Sequence, residues 1–332
     1  MWRYVLRRLL IAVPVVVLIS FISFGIIVLP PGDYLDNYIA SLEMQGERAD
    51  MQRVEFLRQT YGLDKPFYVQ YWRWFGGVLR GNFGTSFEYR RQVESVILER
   101  LGFTVIISLA TMIFTTVISW PIAIYSATHR YSAGDHFFTF MGFLGLSTPD
   151  FLEALVLMYL LSRFFGVSAG GLFSPEYMDA PWSWARVKDL LAHLWLPVVI
   201  LGTGGTAGSI RILRATLLDE LNKPYVVTAR AKGLSERRLL LKYPLRIALN
   251  PFFSSVGWML PGLISGSVIV AMVTSLPTEG PILLQALQTQ DMYLAGTFIF
   301  FEACLTVIGT LISDLALAWS DPRVRYARLE AA

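Results

Sequence analysis

The chain has 332 residues, of which 54% are hydrophobic and only 16% charged. This composition lies outside the soluble globular range and excludes a soluble enzyme. A net charge of +3 gives no footprint for nucleic acid, and the single cysteine, Cys304, excludes an internal disulfide.

Arg3, Arg7 and Arg8 precede an apolar run over residues 9–29. The run is about the twenty residues that cross a bilayer, longer than a signal-peptide core, and has no A-x-A cleavage site, so it is expected to stay as a first span. Further runs almost free of charge occupy 101–128, 137–165, 190–210, 247–276 and 294–319. Each can cross roughly 30 Å of hydrocarbon as a helix. The expectation is an all-α, polytopic membrane protein with six transmembrane helices.

An even number of spans puts both termini on one side. The N-terminal arginines, His129 with Arg130, the loop 211–246 and Arg323, Arg325 and Arg328 then share that side, which the positive-inside rule makes the cytoplasm. Loops 30–100, 166–189 and 277–293 face outward. The first carries nine basic and ten acidic residues and has no orienting bias. Its Tyr68, Tyr71, Trp72 and Trp74 predict either a helix lying at the membrane interface or a packed aromatic cluster. No internal repeat or linker divides the chain, so residues 1–332 read as a single transmembrane domain. Gly204 with Gly208, and Gly262 with Gly266, have the small-xxx-small spacing of close helix contacts, and Pro149 and Pro261 are candidate kinks.

No phosphate-binding GxxxxGK[ST] loop, GxSxG elbow or HExxH motif occurs, and His129, His136 and His193 lack metal-ligand spacing. No catalytic residue, metal ligand or cofactor is therefore assigned to this chain. Ionisable groups within spans are costly and face a bundle interior or a water-filled path. Asp150, Glu153 and Glu302 are the candidates. Asp150 lies about 20 Å along the third span at 1.5 Å per residue, just after Pro149, and Glu153 shares its face. They line a solute path or serve in packing. A secondary transporter or channel coupled to protons or ions through these acids is the alternative reading.

The loop 211–246 holds nine Lys or Arg and the segment TARAKGL, Thr228 to Leu234. Asn222 and Pro224 signal a helix start, and a short helix over Tyr225–Lys232 places Tyr225 and Ala229 on one face. Gly233 suits a position of positive φ, Leu234 is the apolar residue after it, and Ser235 and Glu236 suit the first turn of a second helix. So short a helix needs a groove in a partner to hold it.

The segment YVVTARAKGLSERRLLLKYPLRIALNP, Tyr225 to Pro251, resembles the ATPase-docking loop of membrane permease subunits of bacterial ATP-binding-cassette (ABC) importers, in the dipeptide, oligopeptide and nickel class. WRYVLRRLLIAVPV at the start, PGD from Pro31, YGLDKPFYVQYWRW from Tyr61, LRGNFGTSF from Leu79, GLSTPDF from Gly145 and DPRVR from Asp321 extend the similarity over nearly the whole chain. The resemblance implies the type I importer permease fold in a bacterial inner membrane. It also implies partners: a second homologous permease, two cytoplasmic ABC ATPases that bind ATP and Mg, and a periplasmic solute-binding protein. The docking role falls on Tyr225, Thr228, Ala229, Arg230, Ala231, Lys232, Gly233 and Leu234. The chain departs from the family pattern at Pro224, Tyr243, Ile247, Ala271, Pro277-Thr278 and Asp150. These changes leave peptide, nickel, opine or oligosaccharide open as the solute.

Overall fold

A computed structural model describes residues 2–46, 50–166 and 170–320. A bilayer offers no hydrogen-bond partner to the main chain, so long apolar runs must bond internally as helices. In chain order these are α1 Trp2–Val28, α2 Tyr34–Met44, α3 Met51–Tyr61, α4 Phe67–Val78, α5 Val93–Thr128, α6 Ala133–Ser147 and α7 Asp150–Phe165. After a single 3-10 turn, Pro175–Tyr177, come α8 Trp184–Leu221, α9 Pro224–Ala231, α10 Glu236–Lys242 and α11 Pro244–Ala248. The chain continues through α12 Asn250–Gly266, α13 Val268–Val273, α14 Glu279–Gln288 and α15 Met292–Ser320. Among the described residues no strand forms; Thr85 and Gln92 make one isolated bridge.

Among the described residues four segments are long and apolar enough to cross a membrane: Leu10–Val28, Val93–Thr128, Trp184–Leu221 and Met292–Ala318. The bent pair α6 and α7 makes five. The helical membrane class holds, but two of the six expected spans are not continuous helices. The third breaks at Thr148 and Pro149, where the two halves bend by 102°. Proline lacks the N–H that would continue the ladder and forces the residue before it out of the helical region; Thr148 is extended, with φ −90° and ψ 123°. The fifth is divided around Ser267 into α12, of 17 residues, and the short α13. Pro261 falls within α12. Arg323, Arg325 and Arg328, with the DPRVR segment, lie outside the described residues.

The chain forms two compact units. The first comprises Met1–Thr104 and Thr278–Val307. Its core is aromatic: Tyr71, Trp74 and Phe75 of α4 pack with Phe24 of α1 and Phe298 of α15, and Trp74 stacks on Phe24 at 5.3 Å between centroids. Of the four aromatic residues singled out in the sequence, Tyr71 and Trp74 are buried whereas Tyr68 and Trp72 are exposed. Asp291, fully buried, fastens the segment before α5 to the start of α15. It accepts hydrogen bonds from Ser86 Oγ at 2.6 Å, Glu88 N–H at 3.1 Å and Leu294 N–H at 3.2 Å.

The second unit comprises Val105–Pro277 and Ile308–Ala332. Within it α8 packs on α6, α7, α11 and α12. The closest main-chain approach is not at Gly204, Gly208 or Gly262 but between α12 and α15. A Cβ on Gly257 would lie 2.7 Å from Thr310 Cα, and one on Gly309 would lie 3.0 Å from Gly257 O. Gly204 packs near Asp150 and the Gly145 carbonyl, while a Cβ on Gly208 or Gly262 would meet nothing within 4 Å. Only glycine permits the α12–α15 contact, the membrane form of close helix packing.

Replacing Asp291 by Ala strands three donors in a dry site, at about 1 kcal/mol or more for each. Asp291→Ala is expected to lower the melting temperature of the detergent-solubilised protein clearly, whereas the isosteric Asp291→Asn retains part of the loss; intrinsic fluorescence on heating checks both.

Candidate functional site

The basic loop is largely helical, and its first third belongs to a span. Helix α8 runs 38 residues, roughly 57 Å at 1.5 Å per residue, against about 30 Å of hydrocarbon. It therefore continues past the expected end at 210 as far as Leu221. Ile210, Leu213 and Leu217 recur at helical spacing and pack on Ala123 and Ala127 of α5 and on Leu245, Ala248 and Leu249. Thr216 Oγ1 donates to the Ala248 carbonyl at 3.1 Å. On another face, Arg214 donates from Nε at 2.8 Å and Nη2 at 2.7 Å to the buried Asp135 carboxylate, which also takes the Tyr131 N–H at 2.9 Å. The paired, geometrically matched fork compensates the burial of Asp135 and joins the start of α6 to α8.

Pro224 begins α9 as its first residue, where a missing N–H costs nothing. The helix ends in a glycine turn. Gly233 has φ +82°, its N–H donates to Arg230 O at 3.0 Å, and the Leu234 N–H reaches back to Ala229 O at 3.4 Å. These two bonds and the left-handed glycine make a Schellman motif, with Leu234 packing back on the helix. Ser235 then precedes α10, which begins at Glu236 as the sequence implies. Val226, Ala229 and Leu239 are buried together beneath the turn, with Tyr243 packed against them.

The turn sorts the expected docking residues by side. Thr228, Arg230, Ala231, Lys232 and Gly233 are exposed, Tyr225 is at the margin of exposure, and Leu234 is half-buried. Ala229 does not share an outer face with Tyr225; it turns inward and is 8% exposed. Its small side chain lets α9 lie close to Leu239. Tyr225 donates its hydroxyl to Glu220, at the end of α8. Arg230 and Glu236 pair across the turn at 2.5 and 3.1 Å, which holds the Glu236 carboxyl below its ordinary range, although solvent screens so exposed a pair. Sequence reasoning missed Val227. It is 56% exposed and sits one helical turn before Ala231, so the outer face of α9 is apolar and small. A Cβ at Gly233 would meet nothing within 4 Å, leaving the tip of the turn open.

The intramembrane acids divide into two places. Asp150 is not inside a continuous helix: it is the first residue of α7, directly after the 102° bend. There the unpaired N–H groups of the helix start favour negative charge. Glu153, also in the first turn, accepts from Thr203 Oγ1 of α8 at 2.9 Å, and the Asp150 carboxylate lies beside Gly204, 3.8 Å from where a Cβ would stand. Both acids are half-buried. Glu302 belongs to the first unit. Its acidic neighbour is Glu279, a residue the sequence reading passed over as part of a short outer loop.

Glu279 opens α14 and is 1% exposed. Its N–H donates to Thr104 Oγ1 at 3.1 Å, but neither carboxylate oxygen has a partner among the described residues. Burial, and then the nearby Glu302, push its carboxyl up to about 8. No local pattern announces this, because Thr104 lies on α5, far away in sequence.

A neutral Glu279 in the folded protein has a pH signature. Below the ordinary value of 4.5 the carboxyl is protonated whether the chain is folded or not. As pH rises from there to about 8 only the unfolded chain ionises, so stability falls across that window. Melting temperature measured from pH 5 to 8 is expected to decline, and Glu279→Gln is expected to flatten the decline and raise the pH 8 value by about 5 °C.

The model of the binding-protein-dependent transport system inner membrane component matches residues 119–326. That of the N-terminal part of such membrane components matches residues 1–110. The oligopeptide transport system permease protein AppB of Bacillus subtilis (strain 168) is 35% identical over 328 residues, covering 98% of this chain and all of that protein. The glutathione transport system permease protein GsiC of Salmonella paratyphi A is 30% identical over 326 residues, at 98% and 100% coverage. The dipeptide transport system permease protein DppB of Escherichia coli (strain K12) is 28% identical over 345 residues, at 99% and 100% coverage.

Proposed function

Because the chain belongs to the family of binding-protein-dependent transport system inner membrane components, we propose that it carries a peptide-class solute across the membrane and takes its driving force through the turn at Gly233. It is a multi-pass inner-membrane permease subunit of an ABC importer, without catalytic chemistry of its own; separate ATPase subunits hydrolyse ATP. The family works with ATPase and binding-protein partners, and this replaces the reading of an ion-coupled secondary transporter or channel. Peptide as the solute rests on the names of the relatives, which include oligopeptide, dipeptide and glutathione permeases.

In this reading residues 1–332 work as one permease of the type I fold with six crossings and both termini in the cytoplasm. The bent pair α6 and α7 and the divided α12 and α13 count as one crossing each. A second homologous permease completes the path, two ATPases dock below, and a periplasmic binding protein delivers the solute. The observation that carries the docking role is the placement of α9 and Gly233 at the end of the 38-residue α8. Val227, Thr228, Ala231 and Lys232 form the contact face, and Arg230 and Glu236 hold the turn's shape. Displacement of that face tilts α8, whose Thr203 and Gly204 lie against Glu153 and Asp150. Those two acids line the solute path within their unit; Glu302, in the other unit, is a separate candidate for solute contact.

A β-branched residue in the left-handed region is strained by about 1 kcal/mol or more, enough to deform a turn already open to solvent. Gly233→Val is expected to insert and assemble normally yet lose at least tenfold in uptake, with ATP hydrolysis no longer tied to it; Gly233→Asn, which tolerates positive φ, retains most uptake. Wild-type transport by Gly233→Val in proteoliposomes contradicts the docking role. For the path, Asp150→Ser is expected to lower uptake of cationic peptides more than of neutral ones, and an unaltered ratio between them removes Asp150 from solute contact.

A further inference from the structure

Helix α4 belongs to the segment counted as an outward loop, yet its contacts on α1 lie well inside a membrane span. The span Leu10–Val28 has 19 residues. At 1.5 Å per residue this is roughly 28 Å, about the thickness of the hydrocarbon layer. Tyr71 of α4 hydrogen-bonds Ser20 Oγ at 2.9 Å and donates to the Val17 carbonyl at 3.3 Å. Its neighbours follow suit: Phe67 lies 5.6 Å from Phe21 between centroids, and Trp74 stacks on Phe24. Measured back from Val28, these contacts fall roughly 6 to 16 Å below the end of the span.

Contacts with α15 agree. Trp74 Nε1 donates to Thr297 Oγ1 at 3.2 Å, and Trp74 and Phe75 both meet the Phe300 ring, at 6.2 and 6.4 Å. Thr297 and Phe300 lie inside the apolar helix Met292–Ala318, past its first turn.

The chemistry of α4 suits hydrocarbon. Its 12 residues cover roughly 18 Å, too short to cross, so it enters and leaves on one side. Gln70 turns back to the Leu63 and Lys65 carbonyls at 3.3 and 2.7 Å, and Arg73 to the Thr60 carbonyl at 3.1 Å. Gln70 is thereby satisfied within the protein, whereas the exposed Arg73 guanidinium is drawn back toward Thr60, before the start of the helix. The exposed face carries an apolar stripe, Tyr68 at 52% exposure, Val69 at 40% and Trp72 at 59%, with Arg73 at its edge. On α1, against which α4 packs, Leu18, Ile22 and Ile26 are likewise exposed apolar residues.

We propose that α4 dips into the half of the bilayer nearer the Val28 end of α1, and that its stripe of Tyr68, Val69 and Trp72 takes lipid acyl chains rather than water or protein. The helix braces α1 against α15 from within the membrane, and the phenol and indole edges sit toward the headgroups.

Spin labels at Tyr68→Cys and Trp72→Cys, in a Cys304→Ala background and in the assembled transporter in lipid nanodiscs, test this. A label at Phe56→Cys on α3 is the aqueous reference. Collision with oxygen relative to a water-soluble nickel chelate is expected to be at least tenfold higher at 68 and 72 than at 56. Equal nickel access at all three sites overturns the proposal in favour of water, and exclusion of both reagents at 68 and 72 overturns it in favour of a protein partner. In the otherwise native chain, Trp72→Phe is expected to reduce quenching of tryptophan emission by acyl-brominated lipid; unchanged quenching counts against the proposal.

Discussion

Helix α8 runs 38 residues as one helix, and beyond Pro197, which lacks an N–H, no further proline interrupts it before Leu221; the proposed coupling depends on the stiffness of that stretch. Its middle, at Thr203 and Gly204, packs beside the acids at the start of α7; its C-terminal end delivers the turn at Gly233. A flexible loop between span and turn would absorb a push, whereas a helix braced on two sides transmits it. Leu213 and Leu217 supply one brace through buried apolar contact, and the Asp135–Arg214 fork supplies the other. Both lie in the stretch between the apolar part of the helix and α9.

Docking requires a surface that is rigid beneath and accessible above. Val226, Ala229 and Leu239 meet under the turn, so α9, too short to persist alone, is held by α10 rather than by its own propensity. What remains outside is small and open. This division explains why alanines alternate with larger groups in the segment: Ala229 permits close packing inward, and Ala231 leaves room outward.

The sequence revealed those features whose cause is local. Pro224 as a helix start was legible because proline fixes φ, Gly233 as its end because glycine takes positive φ without strain, and the bend at Pro149 because proline removes a donor. The extent of α8 was not legible by charge counting. Arg211, Arg214, Asp219 and Glu220 mark the stretch as polar, while Ile210, Leu213 and Leu217 carry the helical period that tertiary contact uses. Glu279 was hidden for another reason: its burial depends on Thr104 and on Glu302, which only folding brings near. The aromatic cluster of α4 was visible as composition, but the division between buried Tyr71 and Trp74 and exposed Tyr68 and Trp72 follows from contacts with α1 and α15.

The central claim is that a separate ATP-hydrolysing subunit engages this chain at the α9 turn. Site-directed cross-linking measures that most directly: a photoreactive amino acid placed at Thr228 or at Lys232 in the assembled transporter, irradiated with and without nucleotide. The account predicts a covalent product with the ATPase subunit at both positions, with a yield that changes between nucleotide states. Absence of any ATPase adduct at either position in every state, in a transporter that still takes up solute, contradicts it.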